Sequence, residues 1–227
     1  MTKLLVIRHG HAEGNAEHRF IGQTDVPLDD LGRLQARALA NRLEGTPIDR
    51  IVSSDLVRAI DTITPLAEAI GVPIERDPRL REIANGEWSG LLPEEISARW
   101  PDLWAAYRSG EDVHRPGGEQ WSTVRERVVA AAREHSSSGG VIVLCTHGGA
   151  GLNLAMWATG FPAGGNIFMG KLGALGNTSI TTIEIRADSE DQARLVGFND
   201  VGHLAGNLAG NLPGATLDVR RPFDPVD

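Results

Sequence analysis

Lys3-Leu4-Leu5-Val6-Ile7-Arg8-His9-Gly10 opens the chain, and Val141-Ile142-Val143-Leu144-Cys145-Thr146-His147-Gly148-Gly149 repeats its design far downstream. Each is a short apolar run, too brief for a typical helix, that stops at a histidine followed by glycine. A run of this kind reads as a strand buried on both faces, the type found in parallel sheets. In open α/β sheets, ligands bind in the crevice outside the carboxyl ends of the strands. If the two strands are neighbours, His9 and His147 face each other across that crevice.

The segments between them alternate helix and strand. Asp29 is a candidate N-cap for a helix over about 30–44, with Leu31, Leu34, Ala38 and Leu43 along one face. A short strand over 49–53 leads into a helix that Ser54-Asp55 opens and Gly71 stops. Pro65 within it predicts either a kink or two shorter helices. A further strand is expected over 72–76. Residues 77–118 then lose sheet character, apart from a helical stretch near 93–108. They hold Trp88, Trp100, Trp104 and Tyr107, and read as a lid-like insertion whose aromatics pack it onto the body. A helix over 120–136, the second His-Gly strand, a helix to about 159, a strand over 177–186 and a hairpin partner over 193–198 at the sheet's edge complete the pattern.

The predicted fold is therefore α/β: a three-layer α/β/α sandwich with a mostly parallel central sheet, an antiparallel edge strand and a helical insertion. One domain is expected over 1–204, with the insertion at about 77–118 and an irregular tail over 205–227.

Composition narrows the function. The 227 residues are 41% hydrophobic and 23% charged, ordinary for a soluble globular protein. A net charge of −8 argues against nucleic acid or an anionic membrane as partner, so an anion site must be built locally. The single cysteine, Cys145, excludes an intramolecular disulfide and reads as a small core hydrophobe. Without a targeting signature or a run of transmembrane length, a cytoplasmic location is expected. Oligomeric state is left open, a homo-oligomer included.

Three strand ends carry the chemistry: Arg8 and His9 on the first, His147 on the second, and Arg58 one turn into the helix that follows residues 49–53. Two arginines and two histidines converging make a cationic hole suited to phosphate, whose oxygens match the guanidinium fork two at a time. Backbone N–H groups at the helix start after Gly148-Gly149 add anion affinity. In that setting a neutral His9 is a nucleophile toward phosphorus, its pKa lowered by the surrounding positive charge. A carboxylate must protonate the leaving alkoxide and later activate water; Glu82 is the candidate, with Glu13 and Glu87 as competitors. Arg19, Arg108 and Arg115 are weighed as readers of a second anion on the substrate, against the ordinary role of an exposed surface cation, which is preferred.

These motifs resemble those of the histidine phosphatase, or phosphoglycerate-mutase-like, superfamily. Arg8-His9-Gly10, the continuation to Asn15, Ser54 to Thr62, Leu80 to Gly90 and His147-Gly148 fall in the family's order, and Asn199-Asp200 through His203-Leu204 resembles its close. The resemblance implies a phosphorylated His9, Asn15 as a phosphate-side ligand, Arg58 and His147 as phosphate partners, and Glu82 as general acid/base. Gln23 and Gly148 are further phosphate-side candidates. His11 and Ala12 depart from the pattern, which has Glu or Gln and then Thr or Ser at these positions; His11 then either reads substrate or caps the turn.

The expected function is a phosphomonoesterase that hydrolyses a small phosphorylated metabolite through a phosphohistidine, with no cofactor and no metal. The histidines are not interleaved with carboxylates at ligand spacing. The alternatives are a cofactor-dependent phosphoglycerate mutase and a low-activity phosphate-binding or signalling member of the same fold. Such mutases typically read Glu-Arg-His-Tyr-Gly where this chain has Glu82-Ile83-Ala84-Asn85-Gly86, which favours the phosphatase.

Overall fold

The computed structural model describes residues 1–13, 19–163, 172–186 and 193–204. Asn15, His18 and the expected tail over 205–227 lie outside them. The described strands are β1 (Thr2–Arg8), β2 (Arg50–Ser53), β3 (Ile74–Arg76), β4 (Gly140–Thr146), β5 (Ile180–Ile185) and β6 (Ala193–Asp200). The described helices are α1 (Asp30–Leu43), α2 (Val57–Ile70), α3 (Pro93–Arg99), α4 (Pro101–Ser109), α5 (Trp121–Ser136) and α6 (Gly148–Ala158).

The strands form one sheet in the order β3-β2-β4-β1-β5-β6. β1 to β4 run parallel, and β5 pairs antiparallel with both β1 and β6. The strand running against the others is thus β5, one in from the edge, while β6 forms the edge itself. Alternate residues of the central strands point to opposite faces. Leu4 and Val6 of β1, with Ile142 and Leu144 of β4, pack against α5 and α6. Leu5 and Ile7, with Val143 and Cys145, pack against α1 and α2. Two cores on two faces make the three layers. Burial pushes the Cys145 thiol up to about 12, as befits a core residue.

Local chemistry explains most boundaries. The Asp29 carboxylate accepts from Gly32 N and caps α1 as anticipated. Gly71, at φ 70°, ends α2 in the left-handed conformation that glycine adopts at little cost. Pro65 leaves α2 as one 14-residue helix. That helix starts later than Ser54-Asp55 suggested, at Val57, whose N–H is taken by Asp25 Oδ1 from a neighbouring loop. The expected single helix near 93–108 is two. Pro101 lacks the N–H to continue α3 and biases Trp100 away from helical geometry (φ −135°, ψ 65°), so α4 restarts with the proline at its first turn. Trp88, Ile96, Tyr107 and Val113 give the insertion a small core of its own, joined by Phe20, Leu91, Trp100 and Trp104.

The backbone of α1 touches the loop after β1 directly. A Cβ on Gly32 would lie 1.9 Å from the His11 carbonyl oxygen, and one on Gly10 would lie 2.9 Å from the Gly32 carbonyl oxygen. Gly32→Ala is therefore expected to reduce unfolding free energy by about 2 kcal/mol or more in urea melts. Gly173→Ala, whose Cβ meets nothing within 4 Å, is expected to stay within about 0.5 kcal/mol of wild type. Equal midpoints for the two variants would contradict the close approach.

Candidate active site

The register of β1 and β4 sets Arg8 opposite Thr146, and the His9 N–H donates to the Thr146 carbonyl at 2.9 Å. One residue past the strand ends, the rings of His9 and His147 lie 5.0 Å apart, centroid to centroid. Both are buried, His9 at 4% and His147 at 0% exposure. Each tautomer follows from its partner. His9 Nδ1 lies 2.7 Å from the Gly10 carbonyl, which can only accept, so Nδ1 carries the proton and Nε2 keeps its lone pair. Arg58 Nε donates to His147 Nδ1 at 3.2 Å, so the proton of a neutral His147 ring is on Nε2, directed at Ser54 Oγ 2.8 Å away.

Burial holds both imidazoles well below the usual histidine pKa. Arg58 and then Arg8 depress His9 further, and Arg58 and His9 do the same for His147. Arg58 is itself locked in place, with Nη1 donating to the Thr24 carbonyl at 2.8 Å and Nη2 to the Gly22 carbonyl at 2.7 Å. Arg8 donates through Nη1 to the Leu175 carbonyl, while its buried Nε has no hydrogen-bond partner among the described residues. Thr62 Oγ1 ties α2 to the loop after β1, accepting from Gly10 N at 2.8 Å and donating to the Arg58 carbonyl at 2.6 Å.

Glu82 closes the site from the insertion. Its Oε2 accepts from Gly149 N at 2.9 Å and its Oε1 from Ile83 N at 3.0 Å. The N-terminus of α6, expected to face phosphate, thus directs its Gly149 N–H at a carboxylate, where the helix dipole favours negative charge. Gly149 has to be glycine, because a Cβ there would lie 2.4 Å from the Trp121 ring and 2.7 Å from Glu82 Oε1. Arg8, His9, Arg58, Glu82 and Gly148 all line one cavity of about 630 Å³, walled on the insertion side by Phe20, Leu92, Tyr107, Arg115 and Trp121.

A family model described as the histidine phosphatase superfamily, branch 1, matches residues 4–200. The chain belongs to that superfamily. Among curated members it is 35% identical over 204 residues to the glucosyl-3-phosphoglycerate phosphatase of Mycolicibacterium vanbaalenii, covering 85% of this chain and 89% of that one. It is 30% identical over 215 residues to the metal-independent phosphoserine phosphatase of Arabidopsis thaliana, covering 90% and 84%. The native structure of mycobacterial glucosyl-3-phosphoglycerate phosphatase matches with a TM-score of 0.75 at 34% identity, covering 88% of this chain and 99% of that one.

Within this histidine phosphatase, not every sequence-derived candidate reaches the cavity. Gln23 does not line it; its Nε2 donates to the Glu82 carbonyl at 2.9 Å, so it steadies the chain that carries Glu82. His11 does not line it either; its Nδ1 lies 2.5 Å from Asp29 Oδ2, beside the cap of α1, which favours the turn-capping alternative. Ala12 does line the cavity. Asn15 lies outside the described residues. Of the competitors to Glu82, neither Glu13 nor Glu87 lines the cavity.

Sequence reasoning missed the residues that hold Glu82. Arg127 donates to the carbonyls of Arg79 (2.8 Å), Arg81 (2.6 Å) and Glu82 (2.9 Å). Glu119 binds that guanidinium at 2.9 Å and accepts from Ala84 N at 2.8 Å. Arg81 is held in turn by both oxygens of Asp55. These partners are separated by no helical or strand period, so no local pattern marks them. Asn199 was legible only as part of the closing motif. At φ 56°, in the left-handed region asparagine tolerates, its amide accepts from Gly176 N (2.7 Å) and donates to the Ala174 carbonyl (3.2 Å), bracing the loop that binds Arg8.

The depressed histidines make a titration prediction. In the folded protein the side-chain NMR signals of His9 and His147 are expected to remain those of neutral rings at about pH 6, where an ordinary histidine, with a pKa near 6.5, is mostly protonated. The unfolded chain takes up those protons first, so stability falls as pH drops below about 6.5. Arg58→Met should raise both midpoints. A wild-type midpoint at the ordinary value for either ring contradicts the buried neutral pair.

Proposed function

We propose that the protein is a cytoplasmic phosphomonoesterase that hydrolyses a small phosphorylated metabolite through a phosphohistidine on His9. The observation that carries this reading is the state of His9: Nδ1 is committed to the Gly10 carbonyl, so Nε2 keeps its lone pair in a cavity whose lining includes Arg8, Arg58 and Glu82.

In the first step Nε2 bonds to phosphorus as the ester P–O bond breaks. Arg8 and Arg58 stabilise charge on the non-bridging oxygens, and His147, which does not line the cavity, holds the Arg58 guanidinium through its Nδ1. Protonated Glu82 gives its proton to the departing alkoxide. In the second step Glu82 accepts a proton from water, the oxygen attacks phosphorus, and the N–P bond breaks to release phosphate and the neutral tautomer of His9. Guanidiniums supply the charge stabilisation, so the mechanism invokes no metal. Among the described residues there is no group of three or more potential metal-binding side chains, and no helix is long and apolar enough to cross a membrane. With a net charge of −8, the reading takes a small molecule as partner, with neither nucleic acid nor membrane.

Acid-quenching the enzyme during turnover of a ³²P-labelled ester should trap label on His9, and His9→Ala should abolish both label and phosphate release. Glu82→Gln should slow turnover of an alkyl phosphate about 10²–10⁴-fold, the usual contribution of a general acid. Chelator should leave the rate intact. Isomerisation of phosphoglycerate without phosphate release would identify a mutase instead, and phosphate binding without turnover of any ester would identify a binding module.

A further inference from the structure

Phe20 belongs to the loop before α1, yet its ring packs into the core of the insertion. It meets Trp88 at 5.8 Å, Trp104 at 6.0 Å and Tyr107 at 6.1 Å between ring centroids, each edge-on. The backbone is bound in both directions: Phe20 N donates to the Leu91 carbonyl at 3.0 Å, and Gly90 N donates to the Phe20 carbonyl at 2.9 Å. Arg19 adds a bond from Nη1 to the Gly90 carbonyl at 2.8 Å and lies 3.7 Å from Glu95. One end of the loop is thus stitched to the insertion.

The other end holds Arg58. Two of the three acceptors that orient its guanidinium are the carbonyls of Gly22, at 2.7 Å, and Thr24, at 2.8 Å; the third is His147 Nδ1, at 3.2 Å. None of the three is a carboxylate, so the aim of Arg58 is set by hydrogen-bond direction, which weakens steeply with misalignment. Asp25 fastens this end of the loop to α2 by accepting from Val57 N at 2.8 Å. Only Ile21 stands between Phe20 and Gly22. The chain turns tightly there, with Thr24 N donating to the Ile21 carbonyl at 3.1 Å and Gly22 at φ 55°. A turn this short passes a displacement of Phe20 on to the Gly22 carbonyl.

We propose that Phe20 is a positioning residue: its ring, socketed in the aromatic core of the insertion, fixes the carbonyls that aim Arg58 at a bound oxyanion. Arg58 lines the cavity with His9, so the insertion contributes to holding phosphate without touching it. This rests on the reading of the cavity as a phosphoryl site and adds the element that keeps that site aligned. A role in packing alone would lower stability and leave the cavity of the folded protein unchanged. Phe20 also lines the cavity, but a direct contact there would act on the alcohol portion of a substrate and not through Arg58.

The probe is therefore orthovanadate, an oxyanion with no alcohol portion, its Kd read by calorimetry on the full chain. Phe20→Ala is expected to weaken binding by about tenfold or more, the scale of a misaligned charge-assisted hydrogen bond. Phe20→Leu, which refills the socket, is expected to stay within about threefold of wild type. In an Arg58→Met background Phe20→Ala is expected to add less than about twofold, because residues that act through one another are not additive. Unchanged binding in folded Phe20→Ala overturns the proposal, as does an equal loss with and without Arg58. If Phe20→Ala does not fold, Trp104→Leu decides, since Trp104 shapes the socket from outside the cavity lining. Weaker vanadate binding that requires Arg58 carries the proposal, and unchanged binding or an equal loss in both backgrounds rejects it. Turnover of p-nitrophenyl phosphate separates this inference from the reading beneath it. His9-dependent turnover with vanadate binding indifferent to Phe20 removes only the role of Phe20. Vanadate binding that depends on Phe20 through Arg58, without turnover, removes hydrolysis and keeps the coupling. No vanadate binding by wild type rejects both.

Discussion

Backbone pairing between β1 and β4 continues one residue beyond the strands, through the 2.9 Å bond from His9 N–H to the Thr146 carbonyl, and the site depends on that continuation. It brings the two residues together, and the bonds of His9 Nδ1 to the Gly10 carbonyl and of His147 to Arg58 and Ser54 hold the imidazoles 5.0 Å apart. Parallel pairing allows this, because both strands end on the same edge of the sheet and deliver their next residues to the same crevice. A shift of one residue in register would turn every side chain of β1 to the opposite face, exchanging the residues of the two cores. Burial of Leu4 and Val6 on one side and Leu5 and Ile7 on the other therefore protects the spacing of His9 and His147.

Around this pair the protein buries positive charge and fastens it with backbone oxygens. Arg58 donates to Gly22 and Thr24, Arg8 to Leu175, and Arg127 to Arg79, Arg81 and Glu82. Carbonyl partners orient a guanidinium without neutralising it, so Arg8 and Arg58 retain their charge toward the cavity. The same positive field, together with burial, keeps the histidines neutral. One arrangement thus serves both requirements of phosphoryl transfer to nitrogen, a free lone pair and a cationic cradle.

The insertion has a different logic. Its aromatic cluster gives it a core separate from the two that flank the sheet. That independence lets it present side chains to the cavity while the sheet and α2 fix the histidines. Glu82 stands at the junction. Its carboxylate is bound by Gly149 of α6, and its backbone is bound by Arg127 of α5 and Gln23 of the loop before α1. Glu82 is placed by three parts of the chain that are distant from it in sequence, which is why its motif reveals the residue type but not its aim.

Strand and helix identity, the order of the elements, the strand-end histidines and the arginine after β2 were legible in the sequence, because each is written in periodicity or in a covalent neighbour. The break between α3 and α4 was written there too, in Pro101, although the broader helical pattern concealed it. Tertiary structure alone decided the rest. It placed β4 beside β1, assigned the ring proton of His147, turned His11 and Gln23 away from the cavity, and buried Arg115 where a surface residue was expected. The physical reason is common to all four. Each is set by a hydrogen bond or packing contact with residues elsewhere in the fold, and local patterning holds no record of which distant group will supply it.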